Sequence, residues 1–144
     1  MSTTLPLAAL ARTTEPVTML RRFLALDAVV TGVNGIAYLA ASGPLGRLLG
    51  VDRGLLLAIG GFLTLYGIGV AVLGAQRVPW TVGVRAVIEG NAVWAVLSVI
   101  AVLFWLSPTT AGAVWVPLQA VTVGGFALLQ HMALRAVKDA GQRA

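Results

Sequence analysis

The sequence predicts an all-α fold: a bundle of four transmembrane helices built from a duplicated helical hairpin, with both termini cytoplasmic. Three observations carry that reading. Of 144 residues, 58% are hydrophobic and only 10% charged, at a mean hydropathy of +0.92; a soluble domain carries about 25% charge and could not cover itself with so little polar surface. The apolar residues gather into four stretches, each near the ~20 residues a helix needs to cross hydrocarbon. The basic residues fall almost entirely on one side of the weave that these stretches make.

The first span is expected over 18–41, with Asp27 as its only interior charge, and the second over 55–75, with none. The third, 81–106, contains Glu89, and the fourth, 113–133, is uncharged. Gly43-Pro44, Pro79 and Ser107-Pro108 punctuate them, as residues that stop helices should. Pro117 is expected in the first turn of the fourth span, where a missing N–H costs little. Residues 1–17 lack the basic start of a signal peptide, and their apolar patch is too short to span, so they read as a loose or surface-lying tail. The membrane domain is then 18–135, and 136–144 is a short basic tail. Gly46, Gly50 and Gly54 stand four apart between the first two spans, among Arg47, Asp52 and Arg53, and read as a short interfacial segment.

Lys and Arg resist translocation, so their distribution assigns the sides. Arg12, Arg21, Arg22, Arg77, Arg85, Arg135, Lys138 and Arg143 fall on one side, and only Arg47 and Arg53 on the other. The net charge of +5 is thus mostly topological, and no basic face remains free of the membrane to read nucleic acid. The expected location is a bacterial inner membrane, multi-pass, and the lipid bilayer is the first partner. With no cysteine and a single histidine, His131, there are too few ligands for a zinc or haem centre, and neither metal nor cofactor is expected.

Sliding the chain against itself by sixty-four residues, without a gap, superposes Arg21 on Arg85, Ala28-Val29 on Ala92-Val93, Ile36-Ala37 on Ile100-Ala101, and Pro44 on Pro108. The same register carries Gly60-Gly61-Phe62 onto Gly124-Gly125-Phe126. This is the signature of a duplicated hairpin, its copies related by a pseudo-twofold axis along the membrane normal. The two glycine doublets remove side chains where lipid offers no hydrophobic drive for helix association, and close backbone approach is their expected role.

Asp27, Thr31, Asn34 and Tyr38 follow one another at helical spacing and draw a polar stripe along the first span. The repeat register answers it in the third span with Asn91, Trp94 and Ser98; Gln119, Thr122, Phe126 and Gln130 form a stripe in the fourth, matched in the second by Leu55, Ala58, Phe62 and Tyr66. Convergence of these stripes gives a polar seam. An ionised carboxylate at this depth needs a partner, a proton or a wet cavity, so Asp27 reads in two ways. It is a clasp bonded to the amide of Asn91 at equal depth, or it orients a ligand or exchanges a proton. Glu89 lies about 200° around the helix from the seam and is expected to pair with Arg85 one turn earlier; the competing idea couples it with Asp27 as acid and base. Trp80, Trp105 and Trp115 read as interfacial anchors, and Trp94 as core filler or a pocket wall. No phosphate loop, nucleophile elbow or metal-binding helix pair is present.

The run Leu26-Asp27-Ala28 through Thr31-Gly32, Asn34-Gly35 and Ala37-Tyr38-Leu39 resembles a widespread group of small bacterial integral membrane proteins. Asn91-Ala92 with Trp94, Pro108-Thr109-Thr110-Ala111-Gly112 and Gln119-Ala120 look like later parts of the same pattern, which covers most of residues 20–135. In architecture alone the chain is also similar to DoxX-like four-span proteins. The resemblance implies a four-helix membrane fold and transfers no catalytic residue.

The leading expectation is a protein that binds or passes a lipophilic small molecule, a cation among the candidates, in the polar seam. Asp27, Thr31, Asn34, Tyr38, Asn91, Trp94, Ser98, Gln119 and Gln130 are its candidate ligand-binding residues. Four spans seldom make a full transporter alone, which leaves room for a homodimer. The alternatives are an acid/base enzyme using Asp27 and Glu89 on an isoprenoid-like substrate, and an accessory subunit of a membrane complex whose seam is only glue.

Overall fold

The computed structural model describes the backbone of residues 4–143 and the side chains of residues 15–143. Among these the chain is all helical, with five helices: α1 (Thr4–Ala40), α2 (Ser42–Leu49), α3 (Arg53–Ala75), α4 (Thr81–Phe104) and α5 (Thr110–Arg143). Four contain stretches long and apolar enough to cross a membrane, namely Glu15–Ala40, Arg53–Ala75, Thr81–Phe104 and Thr110–Arg143. The outer surface agrees, because large apolar side chains such as Leu65, Phe104 and Val121 are about three-quarters exposed, an exterior suited to hydrocarbon rather than water. Where a loose or surface-lying tail was expected over 1–17, the backbone from Thr4 onward is helical and continuous with α1, with Pro16 inside the helix.

Several boundaries differ from expectation for local reasons. α5 begins at Thr110 rather than 113 because Thr109 caps it, its Oγ1 accepting from the Gly112 N–H at 3.2 Å. Pro117 is therefore the eighth residue of the helix, beyond the first turn, and cannot donate to the Ala113 carbonyl one turn back. At its other end α5 passes 133 and runs to Arg143, since Leu134 and Val137 still pack on the core and Arg and Lys are good helix formers. The segment that holds Gly46, Gly50 and Gly54 is divided between α2, an eight-residue helix ended by Gly50 in the left-handed conformation at φ 70°, and the first turn of α3. Asp52 caps α3 through the Leu55 N–H at 3.1 Å, and Arg21 closes its far end by donating Nε to the Gly74 carbonyl at 3.0 Å.

Around the bundle the order is α3, α1, α5, α4. α1 lies against both α3 and α5, α4 lies along α5, and α3 and α4 only graze each other. α1 and α4 stand on opposite corners, and among the described residues their Cα atoms nowhere come within 8 Å. Phe62 and Trp94 explain the loose α3–α4 edge: their rings stack with centroids 5.9 Å apart and hold the helices off.

The α1–α3 edge is the tightest, and glycine makes it so. A Cβ on Gly60 would stand 2.9 Å from the Gly35 carbonyl oxygen, one on Gly35 2.7 Å from the Thr64 nitrogen, and one on Gly67 3.2 Å from the Gly32 Cα. Gly60, Gly67 and Gly74 repeat every seven residues, so one bare edge of α3 faces α1 throughout. The doublets do less than expected. Gly61 and Gly125 face open space and Gly124 makes only ordinary contact with Ala95, because adjacent glycines point about 100° apart on a helix and only one of a pair can meet a neighbour.

The end of the bundle holding residues 20–28 of α1 is dry. Leu20, Leu24, Val70, Val84 and Leu134 are buried there in one cluster contributed by all four long helices. Beyond Asn91, by contrast, no residue of α4 is buried, and this half of the molecule is more open.

Candidate functional site

The polar centre rests directly on that dry cluster. Asp27 has no exposed surface, and each of its three hydrogen-bond partners is a donor. Thr31, one turn along α1, gives its hydroxyl to Oδ1 at 2.9 Å. Asn91 Nδ2 from α4 and Gln130 Nε2 from α5 both donate to Oδ2 at 2.7 Å. Asn91 Nδ2 also reaches Gln130 Oε1 at 3.2 Å, and Tyr66 from α3 donates its hydroxyl to Asn91 Oδ1 at 3.1 Å. Each long helix thus contributes a polar side chain to one layer, and among the described residues no buried side-chain polar atom lacks a partner.

An acceptor-only set of contacts is the one an ionised carboxylate makes. Carrying Asp to the bilayer centre costs about 2.5–3.5 kcal/mol on insertion scales, while each hydrogen bond to a charged group contributes about 1.5–3 kcal/mol. Three such bonds offset the burial without any cation. The arrangement is chemically closed: both carboxylate oxygens are engaged and neither is open to a ligand.

The residues expected along one continuous seam separate into distinct groups. Asp27, Thr31, Asn91 and Gln130 form the closed centre. Trp94 and Gln119 pair with each other, the indole Nε1 donating to Oε1 at 3.2 Å. Ser98 is half-buried without a side-chain hydrogen bond among the described residues. Asn34 and Tyr38 belong to a separate feature, an open cleft of about 580 Å³ bounded by α1, α2 and the start of α5. Its walls are mostly apolar, with Leu45, Leu48, Val114 and Leu118 prominent, and Asp27 is not among them.

Within the cleft the polar groups are incompletely used. Trp115, expected as an interfacial anchor, donates its indole N–H to the Tyr38 hydroxyl oxygen at 2.8 Å and so fastens α5 to α1. The Tyr38 hydroxyl proton and the Asn34 amide have no partner among the described residues. Trp80 and Trp105 are exposed near helix ends.

Glu89 is exposed on the outer face of α4, and the expected ion pair with Arg85 does not form. It points away from the layer because it precedes Asn91 by two residues, and Arg85 is itself exposed with its long side chain free to turn elsewhere. The two carboxyl groups are not brought together. The described residues contain no cluster of three or more His, Cys, Asp or Glu suited to a metal ion.

Tyr66 was outside the expected site residues although a signal for it existed, since the repeat register places it opposite Gln130. The α2 wall of the cleft had no such signal. No family model matches the chain, and no curated protein or solved structure is significantly similar to it.

Proposed function

We propose that this is a small multi-pass membrane protein that holds a lipophilic small molecule in the cleft between α1, α2 and α5, with the Asp27 layer acting as the lock that fixes the helices behind it. The carrying observation is the coincidence of a roomy apolar cleft with an unpartnered Asn34 amide and an unspent Tyr38 proton. Its volume lies within the roughly 300–1,000 Å³ usual for small-molecule sites, and apolar walls with a few polar groups are their ordinary lining. In hydrocarbon a polar group without a partner is costly, so a ligand that supplies one is favoured over a plain acyl chain.

This reading moves the ligand away from Asp27. The acid/base alternative has no second carboxyl group at Asp27, and nothing in the geometry favours it. We further propose that both termini face the cytoplasm of a bacterial cell, on the Lys and Arg asymmetry, and that the bundle arose by duplication of a hairpin. The second point is supported by the polar layer. Asp27 and Asn91 are separated by 64 residues, Tyr66 and Gln130 by the same interval, and all four meet.

Native mass spectrometry after gentle extraction tests the function. Wild-type protein should carry an added small-molecule mass, and Ala111→Phe, which fills the cleft from an exposed position, should lose it while still unfolding cooperatively. An equal added mass on the variant, or none on the wild type, overturns the proposal.

A further inference from the structure

Resting on the cleft reading, we infer that the site selects an uncharged lipophile whose head is an oxygen acceptor, a carbonyl group being the best fit. The indole N–H of Trp115 can only donate, and it donates to the Tyr38 oxygen at 2.8 Å. That contact supplies the Tyr38 oxygen with a donor from within the protein. The hydroxyl proton has no acceptor among the described residues, and Tyr38 lines the cleft.

Asn34 lies one turn earlier on the same helix face, about 5–6 Å away by helical geometry, and also lines the cleft. Its NH₂ group provides a second donor on that wall, and its carbonyl oxygen is partnered as well where the carbonyl head carries an N–H of its own, as a carboxamide does. A carbonyl oxygen has two lone pairs and can accept from both.

Charge is disfavoured on both sides. No Asp, Glu, Lys, Arg or His lines the cleft, so neither an ammonium nor a phosphate head finds a counter-ion. The nearest acidic candidate on the α1 stripe, Asp27, is buried with both oxygens occupied. A bare hydrocarbon fits the walls but leaves the Tyr38 proton and the Asn34 amide unsatisfied.

The test is photo-crosslinking of the intact protein in nanodiscs with three dodecyl diazirine probes that differ only at the head: a methyl ketone, a plain hydrocarbon and a trimethylammonium. Labelling is mapped to the segment 110–118 by peptide mass spectrometry. The ketone should label saturably at a concentration roughly tenfold below the hydrocarbon, the gap expected for a hydrogen bond made in an apolar site. Tyr38→Phe should remove the gap and keep the hydrocarbon labelling. Should that variant fail to fold, Asn34→Ala, which removes a side chain that bonds to nothing, should narrow it. Equal labelling by ketone and hydrocarbon, or preference for the ammonium, overturns head selection while leaving the cleft reading intact. Absence of saturable labelling by every probe overturns both.

Discussion

Asp27 and Asn91 are joined by a 2.7 Å hydrogen bond although their helices stand on opposite corners of the bundle. Side chains alone cross the centre, so this contact braces the diagonal that backbone packing leaves unsupported. Asn91→Ala removes a donor from a buried carboxylate and the acceptor of Tyr66 at once, and should cost about 3 kcal/mol, the scale for breaking a buried charged contact from one side. Unfolding in mixed micelles measures it. Replacing the whole buried set, Asp27→Leu with Asn91→Leu and Gln130→Leu, should restore much of the loss because neither an unpaired charge nor an unpaired amide is left behind. A triple variant weaker than the single Asn91→Ala would show that the centre contributes more than satisfied polar groups.

Tyr66 should matter less. Its hydroxyl makes two contacts of 3.1 Å, to Asn91 Oδ1 and the Val87 carbonyl, and removing one neutral donor costs about 1 kcal/mol. Tyr66→Phe is therefore expected to destabilise by about that amount, and less than Asn91→Ala. Because the two residues share a bond, their effects should not add, and a double-mutant cycle should give a coupling of at least about 0.5 kcal/mol. Full additivity would mean that the bond is not made in the bilayer.

How far the sequence could be read is clear from these residues. Asp27 opposite Asn91 was legible because repeat register sets depth, and an amide at equal depth is the nearest donor a lone carboxylate can find. The cleft was not legible. Its α2 wall depends on a one-residue break at Ala41 and a left-handed Gly50, which hydropathy does not register. Trp115 near a span end has the same sequence signature whether it meets headgroups or a tyrosine on a neighbouring helix. The pairing of Glu89 with Arg85 followed from spacing alone, which permits an ion pair without compelling it.

The glycines provide a sharper test of rotation about the helix axis. Gly35→Ala and Gly60→Ala each drive a methyl group against a neighbouring backbone and should destabilise by about 1–3 kcal/mol. Gly61→Ala and Gly125→Ala meet nothing and should be neutral, or stabilising by up to about 1 kcal/mol through helix propensity. Comparing the four variants by unfolding in one detergent removes most effects of the medium. The reverse order would mean that α3 presents its other face to α1.

Thr109 ties the α2 wall of the cleft to the start of α5, and its removal should act locally. Its hydroxyl accepts from the Gly112 N–H at the start of α5 and donates to the Leu48 carbonyl, while its own N–H reaches the Leu49 carbonyl at 3.2 Å. Gly112 completes the joint, since any Cβ there would collide with the Leu49 carbonyl. Thr109→Ala keeps the backbone bond and loses both hydroxyl contacts, so the cost should be about 1 kcal/mol, the usual value of an N-cap. Hydrogen exchange reads where that loss falls. The Val51 amide, bonded to the Gly46 carbonyl at 3.0 Å, should exchange faster as the end of α2 loosens, and amides in the middle of α3 should not change. Thr109→Ser keeps the hydroxyl and should restore protection. Uniformly faster exchange across all helices would show instead that α2 is not an independent wall and that the cleft opens only with the bundle.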